Sequence, residues 1–311
     1  GTDALVLALM ALEVGSGDEV ITSPFSFFAT VEAIVMVGAV PVFVDIEPDT
    51  YNINPDLIES AISSSTKAIL PVSLYGQCAD IPRINELANR HSLPVIEDGA
   101  QSFGAEIQGA KSCGISTIAC TSFFPSKPLG CYGDGGACFT SDSAVHERLR
   151  ALRDHGQKGR YDHHYIGLNA RLDSLQAAVL IAKMQIFEDE IRERNKVAER
   201  YAELLAQHSP SVRAPVIRNG NLSVYAQYTI ALSDRDEVQK KLATEGIPTS
   251  VHYPIPLHRQ PAMKDNYRIF GNLECAERAA KAVLSLPMHP YLAPEDQLNV
   301  VEQLSKAIIE N

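Results

Sequence analysis

Several classes of protein are excluded by what this sequence lacks. No apolar run reaches the ~20 residues that a membrane-spanning helix requires, and the longest candidate, 31–44, is interrupted by Gly38 and Pro41. The chain does not open with a basic segment, an apolar core and a small-residue cleavage site, so no signal peptide is predicted. Acidic residues outnumber basic ones by 38 to 27, and the net charge of −11 argues against nucleic-acid binding. We expect neither a membrane nor a nucleic acid as partner.

Metal and dinucleotide motifs are also missing. The six cysteines form no C-x-x-C pair, and small buried thiols of this kind are typical of a reducing compartment, so a cytoplasmic location is expected. The histidine doublet 163–164 has no carboxylate or third histidine at ligand spacing, and no metal site is predicted. The glycine-rich run 133–136 does not match G-x-G-x-x-G and does not open a helix, which argues against a dinucleotide site.

What is present is an alternation of short apolar strands with helices, which is typical of a parallel α/β sheet. The pattern predicts helices at 4–14, 26–38, 56–63 and 82–91, with strands at 18–22, 39–44, 67–72, 93–96 and 115–124. An irregular polar loop is predicted at 154–169.

A chain of 311 residues favours two domains. The stretch from about 169 to 206 reads as one long helix that is apolar at first and richly charged later, as in a helix that leaves one core for another. We therefore predict an α/β protein with a large domain, residues 1–193, around a mostly parallel central sheet. A smaller C-terminal α/β domain, residues 194–311, follows.

The segment 122–130, SFFPSKPLG, carries the most distinctive chemistry. An apolar run ends in a turn in which Lys127 lies between Pro125 and Pro128. This context places the lysine stem near the core and its amine at a strand end, where burial favours the neutral, nucleophilic amine. The turn suggests a lysine that forms a covalent Schiff base with pyridoxal 5′-phosphate (PLP). A solvated surface lysine is the alternative.

An acidic pair follows the predicted strand 93–96. Glu97 and Asp98 in this position are unfavourable unless a cation meets them. Asp98 could pair with the protonated ring nitrogen of PLP, a recurring arrangement that keeps the ring able to accept electrons. A helix cap or a solvent-facing loop is the alternative.

Two further features suit such a cofactor. Gly1 and Thr2 precede an amphipathic helix, whose free N–H groups and positive dipole end can bind an anion, although an ordinary N-cap explains them equally well. Phe27 follows the first strand, at the end where such sheets bind ligands. It is either a core residue or a cover for a flat ring.

Together these motifs resemble those of the DegT–StrS-type sugar aminotransferases, which have the type I PLP-dependent transferase fold. The resemblance extends over essentially the whole chain. GTDAL resembles the phosphate-binding opening of the family, PFSFFATVEAI its aromatic-bearing segment, EDGAQSFGA and SFFPSKPLG its two most diagnostic stretches, and GLNARLDSLQAA its dimer-contact motif. Family members usually carry several dozen residues before GTDAL, so we expect part of the N-terminal segment to be missing here.

The resemblance implies a role for each matching residue. Lys127 holds PLP and moves a proton, and Asp98 pairs with the ring nitrogen. The other implied cofactor contacts are Gln101 near the ring hydroxyl, Phe27 on the ring face, and Gly1, Thr2 and Ser122 at the phosphate. Asn169 would reach the cofactor phosphate of a neighbouring subunit, which implies a homodimer with active sites at the interface. The implied substrate contacts are Arg171, His252 and Tyr253.

The implied activity is transfer of an amino group from L-glutamate to a keto-sugar nucleotide. SVHYPIPLHRQPA resembles members that aminate UDP-linked 3-oxo sugars, including 3-oxo-N-acetylglucosaminuronate on the route to bacterial O-antigen. Arg171 could bind a uronate carboxylate through a bidentate pair. Other 3-oxo or 4-oxo sugars linked to UDP, dTDP or GDP stay open, as does a non-catalytic PLP-binding regulator. Lys127 argues against the related dehydratases, which carry histidine at that position.

Overall fold

The computed structural model describes residues 1–264 and 266–309. Its helices are α1 (Thr2–Ala11), α2 (Ala29–Met36), α3 (Pro55–Ala61), α4 (Ile81–Arg90), α5 (Ser143–Leu152), α6 (Ser174–Met184), α7 (Phe187–His208), α8 (Arg235–Thr244), α9 (Glu274–Ala282) and α10 (Pro294–Ile309). Its strands are β1 (Glu19–Thr22), β2 (Val40–Phe43), β3 (Thr66–Leu70), β4 (Ile96–Asp98), β5 (Glu106–Ile107), β6 (Ala110–Lys111), β7 (Ile118–Ser122), β8 (Gly136–Phe139), β9 (Gln157–Gly159), β10 (Asp162–His163), β11 (Asn221–Leu222), β12 (Tyr228–Ala231), β13 (Arg268–Ile269) and β14 (Val283–Leu286).

A central sheet organises the molecule. Four strands lie in the order β13-β2-β1-β3, and three more in the order β4-β7-β8. Single parallel bridges, Ile69 with Val95 and Val72 with Asp98, join β3 to the β4 side, so the two groups continue into one another. Within this central sheet the paired strands are parallel, except that β7 and β8 are antiparallel. The prediction of a mostly parallel α/β sheet is confirmed, and its carboxyl edge is where such sheets bind ligands.

Helices cover both faces of this sheet, which explains why its inner strands are apolar without alternation. On one face α1, α2 and α5 surround a cluster that includes Leu9, Ile34 and Leu152. On the other face α3 and α4 contribute Ile58 and Ile84 to a second cluster. None of the helices within the described residues combines the length and apolarity that crossing a membrane takes.

The C-terminal part builds a separate core. The antiparallel pair β12–β14 packs with α7, α8 and α10 around Tyr201 and Leu304. Helix α7 serves both cores, because Phe187 packs beside Phe123 whereas Tyr201 belongs to the C-terminal cluster. The chain then returns to the first part, since β13 pairs with β2 and the carboxylate of Asp45 accepts hydrogen bonds from the first turn of α9. The predicted boundary between residues 193 and 194 stays a prediction.

Three sequence expectations need correction. Strand β4 begins at Ile96 and not at 93, because residues 91–93 still close α4 through hydrogen bonds to its last carbonyls. The expected helix over 169–206 begins at Ser174 and is divided after Met184, where bonds to the third preceding residue tighten the turn. The loop at 154–169 contains the antiparallel pair β9–β10.

Candidate active site

The carboxyl edge of the sheet brings Lys127 and Asp98 together. Asp98 is the last residue of β4, and Lys127 lies in the turn after the parallel neighbour β7, where its N–H donates to the carbonyl of Phe124. Burial raises the pKa of Asp98 and lowers that of Lys127, and the opposite charge of each group partly offsets the shift in the other.

Asp98 is a buried carboxylate with few donors. It is 4% exposed and accepts hydrogen bonds from Thr30 Oγ1 at 2.9 Å and from the N–H of Ala100 at 3.1 Å. Burial raises the pKa of Asp98, while the two hydrogen bonds and Lys127 oppose this shift. A carboxylate held in this way is ready to meet a cationic group in the cleft.

Lys127 is half-buried at the same edge. Burial lowers the pKa of its amine and only Asp98 works against that shift. A lowered pKa increases the fraction of neutral amine, which is the form that attacks a carbonyl carbon and accepts a proton.

The start of α1 lies against Ser122. Gly1 caps this helix without a side-chain hydrogen bond, and a Cβ added to Gly1 would lie 2.8 Å from Ser122 Cβ and 2.9 Å from its Oγ. Ser122 Oγ accepts from the N–H of Phe124, which leaves its own proton free to donate. Gly1 therefore lets the start of α1 approach Ser122 closely, which brings helix N–H groups and a free hydroxyl together as a suitable cradle for a phosphate.

Gln101 links two aromatic residues at the edge of this cluster. Its Oε1 accepts from the N–H of Tyr75 at 2.7 Å, and its Nε2 donates to the hydroxyl of Tyr253 at 3.0 Å. The ring of Phe27 lies 6.2 Å from that of Tyr253 and is 58% exposed. The alternative of Phe27 as a core residue is therefore wrong, and its ring is available to cover a ligand.

His252 joins the same group of residues. It is half-buried, and its Nδ1 lies 2.9 Å from Ser285 Oγ. Its carbonyl accepts from the hydroxyl of Tyr75, whose N–H donates to Gln101. Burial lowers the pKa of His252, and the charge of Lys127 lowers it further.

Asn169 and Arg171 lie on the side of the site where α1 begins. Both are exposed, and the guanidinium of Arg171 donates to Asn169 Oδ1 at 2.8 Å and to Asp154 Oδ1 at 2.8 Å. They line a groove of about 1070 Å³ that also includes Gly1 and Thr2. Their contact with the cofactor or substrate therefore stays a prediction.

The arrangement fits PLP. A buried carboxylate, a lysine of lowered pKa, an open aromatic ring and a helix N-terminus with a serine hydroxyl are the groups that its ring nitrogen, aldehyde, ring face and phosphate require. Among the described residues, no group of three or more His, Cys, Asp or Glu side chains could hold a metal ion.

Comparison with known proteins gives the family. Residues 1–305 match the profile of the DegT/DnrJ/EryC1/StrS aminotransferase family. The chain belongs to this family. The aminotransferase is 55% identical over 94% of its length to a protein of Pseudomonas aeruginosa called UDP-2-acetamido-2-deoxy-3-oxo-D-glucuronate aminotransferase, and it covers 80% of that protein.

Other relatives of the aminotransferase have different names. A protein of Acidithiobacillus ferrooxidans, a UDP-N-acetyl-3-dehydro-alpha-D-glucosamine 3-aminotransferase, is 44% identical, with 99% of this chain and 82% of the relative covered. A pleiotropic regulatory protein of Geobacillus stearothermophilus is 47% identical, with 98% and 82% covered. The crystal structure of S. venezuelae DesV with a ketimine intermediate matches with a TM-score of 0.94 at 40% identity, and 98% of this chain and 82% of that one are covered.

Sequence reasoning missed the residues that hold the site of the aminotransferase in place. Thr30 lies on the first turn of α2. Its hydroxyl donates to the carboxylate of Asp98, and its Oγ1 lies 3.1 Å from Ser26 Oγ. The spacing of these hydroxyls by four residues after a strand was the available signal. Tyr75 and Ser285 hold Gln101 and His252 from distant segments, and no local pattern indicates them.

Glu97 differs from its neighbour. It is fully buried, and its carboxylate accepts from Ser73 Oγ at 3.0 Å, from Ser112 Oγ at 2.8 Å and from the N–H of Cys113 at 2.9 Å. The expectation that a cation must meet both acidic residues is therefore wrong for Glu97. Successive side chains of a strand point to opposite faces, so only Asp98 faces Lys127.

Proposed function

We propose that this aminotransferase binds PLP covalently at Lys127 and moves an amino group from L-glutamate to UDP-linked 3-oxo-N-acetylglucosaminuronate. The observation that carries the chemistry is the pairing of a lysine of lowered pKa with a buried carboxylate beside an anion cradle. The relative named for this uronate supports the choice of sugar.

Lys127 performs the proton transfer in this proposal. PLP supplies an aldehyde that exchanges carbon–nitrogen bonds with amines and a ring that withdraws electrons. Lys127 Nζ would take up and release the proton that moves between the donor α-carbon and the cofactor. With the keto sugar the same amine moves the proton in the opposite direction. Its lowered pKa keeps a neutral base available.

The other residues bind and orient. Asp98 holds the protonated ring nitrogen, and Phe27 covers one face of the ring. The phosphate is bound by the N-terminus of α1 at Gly1 and Thr2 and by the hydroxyl of Ser122. Gln101, fixed by Tyr75 and Tyr253, lies beside the ring hydroxyl.

Arg171, His252 and Tyr253 are the proposed sugar contacts. The guanidinium of Arg171 already binds a carboxylate, that of Asp154, at 2.8 Å. A uronate carboxylate offers the same planar pair of oxygens and can replace Asp154 in a bidentate arrangement. His252 contacts the ring of Tyr253 and is bonded by Tyr75, and both of these residues bond Gln101.

A homodimer completes the proposed site. Helix α6 exposes an apolar face, with Leu175 at 74% and Ile181 at 68% exposure. A second copy of the chain is the occupant that we propose for this face. The exposed Asn169 lies shortly before α6 and would then reach the cofactor phosphate of the neighbouring subunit.

We also propose a cytoplasmic enzyme that serves synthesis of bacterial O-antigen, the polysaccharide part of lipopolysaccharide. The six cysteines are all free, which suits a reducing compartment. Amino sugars of this kind are building blocks for such surface polysaccharides.

Two alternatives are tied to specific observations. A UDP-linked 3-oxo sugar without the carboxylate is favoured by the relative named for such a substrate, and dTDP- or GDP-linked 3-oxo and 4-oxo sugars complete this class. A non-catalytic PLP-binding regulator is favoured by the relative named a pleiotropic regulatory protein. The intact pair of Lys127 and Asp98 supports catalysis, because binding alone needs neither an electron-withdrawing ring nor a base beside it.

Lys127→Ala is the test of the chemistry. We expect PLP added to the wild-type protein to give a visible absorbance band that borohydride reduction removes, and we expect Lys127→Ala to show no such band. Turnover should fall by at least ~10²-fold, since positioned proton transfer contributes about that much. Lys67→Ala is the control, because Lys67 is an exposed residue near the amino end of β3, away from the carboxyl edge of the sheet. Near-normal transamination by Lys127→Ala would overturn the mechanism.

A substrate panel tests the sugar. The UDP-3-oxo-uronate, its counterpart without the carboxylate, and dTDP-linked 3-oxo and 4-oxo deoxysugars are each offered with L-glutamate. We expect the highest kcat/KM for the uronate. Faster reaction of an uncharged sugar would contradict the uronate as the substrate but would not affect the proposed PLP chemistry.

A further inference from the structure

The segment that carries Lys127 closes on itself. After β7 the chain leaves the sheet at Phe123 and returns at Cys131, whose N–H donates to the carbonyl of Phe123 at 2.8 Å. We call residues 123–131 the lysine loop. A Cβ added to Gly130 would lie 2.6 Å from a backbone carbonyl oxygen of the outgoing half, so the two halves of the loop pack directly against each other.

The two halves of the lysine loop differ in burial. Residues 124–126 are exposed, whereas residues 128–130 are buried. Leu129 belongs to the same apolar cluster as Leu180, a buried residue of α6. Lys127 lies at the boundary between the exposed half and the packed half, so the contacts of the packed half determine where its side chain begins.

Helix α6 binds the end of the lysine loop through a cation. Lys183 Nζ donates to the carbonyl of Gly130 at 2.6 Å, and a hydrogen bond from a charged donor is stronger than one between neutral groups. The same ammonium lies 5.1 Å from the centre of the Tyr132 ring, a distance at which an aromatic face attracts a cation. The ammonium is thus held by both a carbonyl and an aromatic ring.

Gln176 binds the backbone two residues further on. Its Oε1 accepts from the N–H of Tyr132 at 2.8 Å, and its Nε2 donates to the carbonyl of the same residue at 3.4 Å. Positions 176, 180 and 183 lie on one face of a helix. A single stripe of α6 therefore holds the end of the lysine loop and the residue that follows it.

We propose that Lys183 and Gln176 are positioning residues for Lys127, which they serve by fixing the lysine loop to α6. Both act through the backbone of residues 130–132, and the amine of Lys127 is thereby placed for its bond to PLP and for proton transfer. The inference rests on the proposed function for the role of Lys127.

Hydrogen exchange of the cofactor-free protein tests the tether. Lys183→Met keeps a side chain of similar length and removes its N–H donors. We expect the amides of residues 123–132 to exchange about tenfold faster in this variant, the usual effect of one lost bond from a charged donor. The amides of α4, which packs in a different core cluster, should exchange as in the wild type.

Two results of the exchange experiment would overturn the proposal, whatever cofactor the protein binds. Unchanged exchange of residues 123–132 would show that Lys183 does not hold the lysine loop. Equal acceleration in the loop and in α4 would show that Lys183 stabilises the whole fold instead.

Matched variants control for the loss of a lysine. Lys183→Arg keeps a charged donor and should restore the wild-type exchange. Lys196→Met removes the same side chain from an exposed ion pair with Glu193 on α7, and we expect no change there. If Lys183→Met does not fold, Gln176→Met removes the bonds to Tyr132 and should accelerate exchange of the same amides.

The bond to PLP tests the positioning role. After addition of limiting PLP and reduction with borohydride, mass spectrometry measures the fraction of chains in which Lys127 carries the cofactor. We expect Lys183→Met to lower this fraction. We also expect kcat to fall by about tenfold while the KM for the keto sugar stays within about twofold of the wild-type value.

This second experiment separates the inference from the proposed function. Faster exchange with an unchanged labelled fraction and an unchanged kcat would mean that the tether is structural and would overturn the positioning role. Absence of cofactor on Lys127 in the wild type would refute the proposed function, whereas hydrogen exchange would still decide whether Lys183 holds the lysine loop.

Discussion

The carboxyl edge of the central sheet and the outer face of α6 depart from ordinary burial in opposite ways. At the sheet edge Asp98 is buried and Lys127 half-buried, although both carry charge. On α6 Leu175 and Ile181 are exposed, although both are apolar. Each departure costs free energy in the isolated chain, and a bound partner removes that cost. The first region needs a small molecule with a cation and an anion, and the second needs an apolar protein surface.

Asp98→Asn tests the sheet edge most severely. The amide is similar in size and keeps an acceptor for Thr30, but it cannot stabilise a protonated ring nitrogen. We expect kcat to fall by about a thousandfold, within the range of preorganised electrostatic groups, with little change in the free energy of unfolding. Steady-state kinetics and thermal unfolding measure the two effects.

Asp56→Asn is the control for Asp98, because Asp56 forms an exposed ion pair with Arg83 on the surface. A loss of less than about threefold in Asp98→Asn would mean that the buried carboxylate is structural. The buried charge at the sheet edge would then not require a bound ligand, in contrast to the exposed apolar residues of α6, which require a protein partner.

Ile181→Asp tests the second region. A carboxylate in the middle of an apolar interface must be desolvated, and we expect the dimer dissociation constant to rise by about a hundredfold. Analytical ultracentrifugation would show the monomer, and specific activity would fall at low protein concentration because Asn169 of the neighbouring subunit is lost. Met36→Asp introduces the same charge at an equally exposed site on α2. Equal dissociation constants for wild type and Ile181→Asp would contradict the proposed interface.

Thr30→Val gives the smallest expected effect. The hydrogen bond of Thr30 lowers the pKa of Asp98 against burial, so its removal raises that pKa further. Activity needs the ionised carboxylate, so the acidic limb of the plot of kcat/KM against pH should move to higher pH. At pH values on the acidic side of this limb, we expect kcat/KM to be about tenfold lower than in the wild type. Thr140→Val, which removes an exposed hydroxyl, is the control. An unchanged pH profile would show that Thr30 does not tune Asp98.

The same contrast explains what could be predicted from sequence. Lys127 and Asp98 follow apolar strands directly, and strand ends of a parallel sheet meet at one edge, so their proximity could be deduced. The partners of Thr30 and Ser285 could not, because the group that a hydroxyl bonds depends on tertiary packing.

The predicted boundaries of the helices were wrong for a related reason. The composition of residues 169–206 favours helix throughout, and only the local bonds at 185–186 reveal the division between α6 and α7. The division matters for function, since it leaves α6 with a single buried residue, Leu180. That helix can therefore present almost its whole apolar surface to a partner.

The return of β13 to the central sheet has a consequence for biosynthesis. Arg268 on β13 forms a bidentate pair with Glu19 on β1, 249 positions earlier in the chain. Until the ribosome has released this segment, β2 is an uncovered edge and Glu19 lacks its cation. Contacts of such sequence separation slow folding, and an open strand edge invites pairing with other chains in the meantime. Closure of this edge therefore depends on a segment that lies 249 positions after Glu19 in the chain.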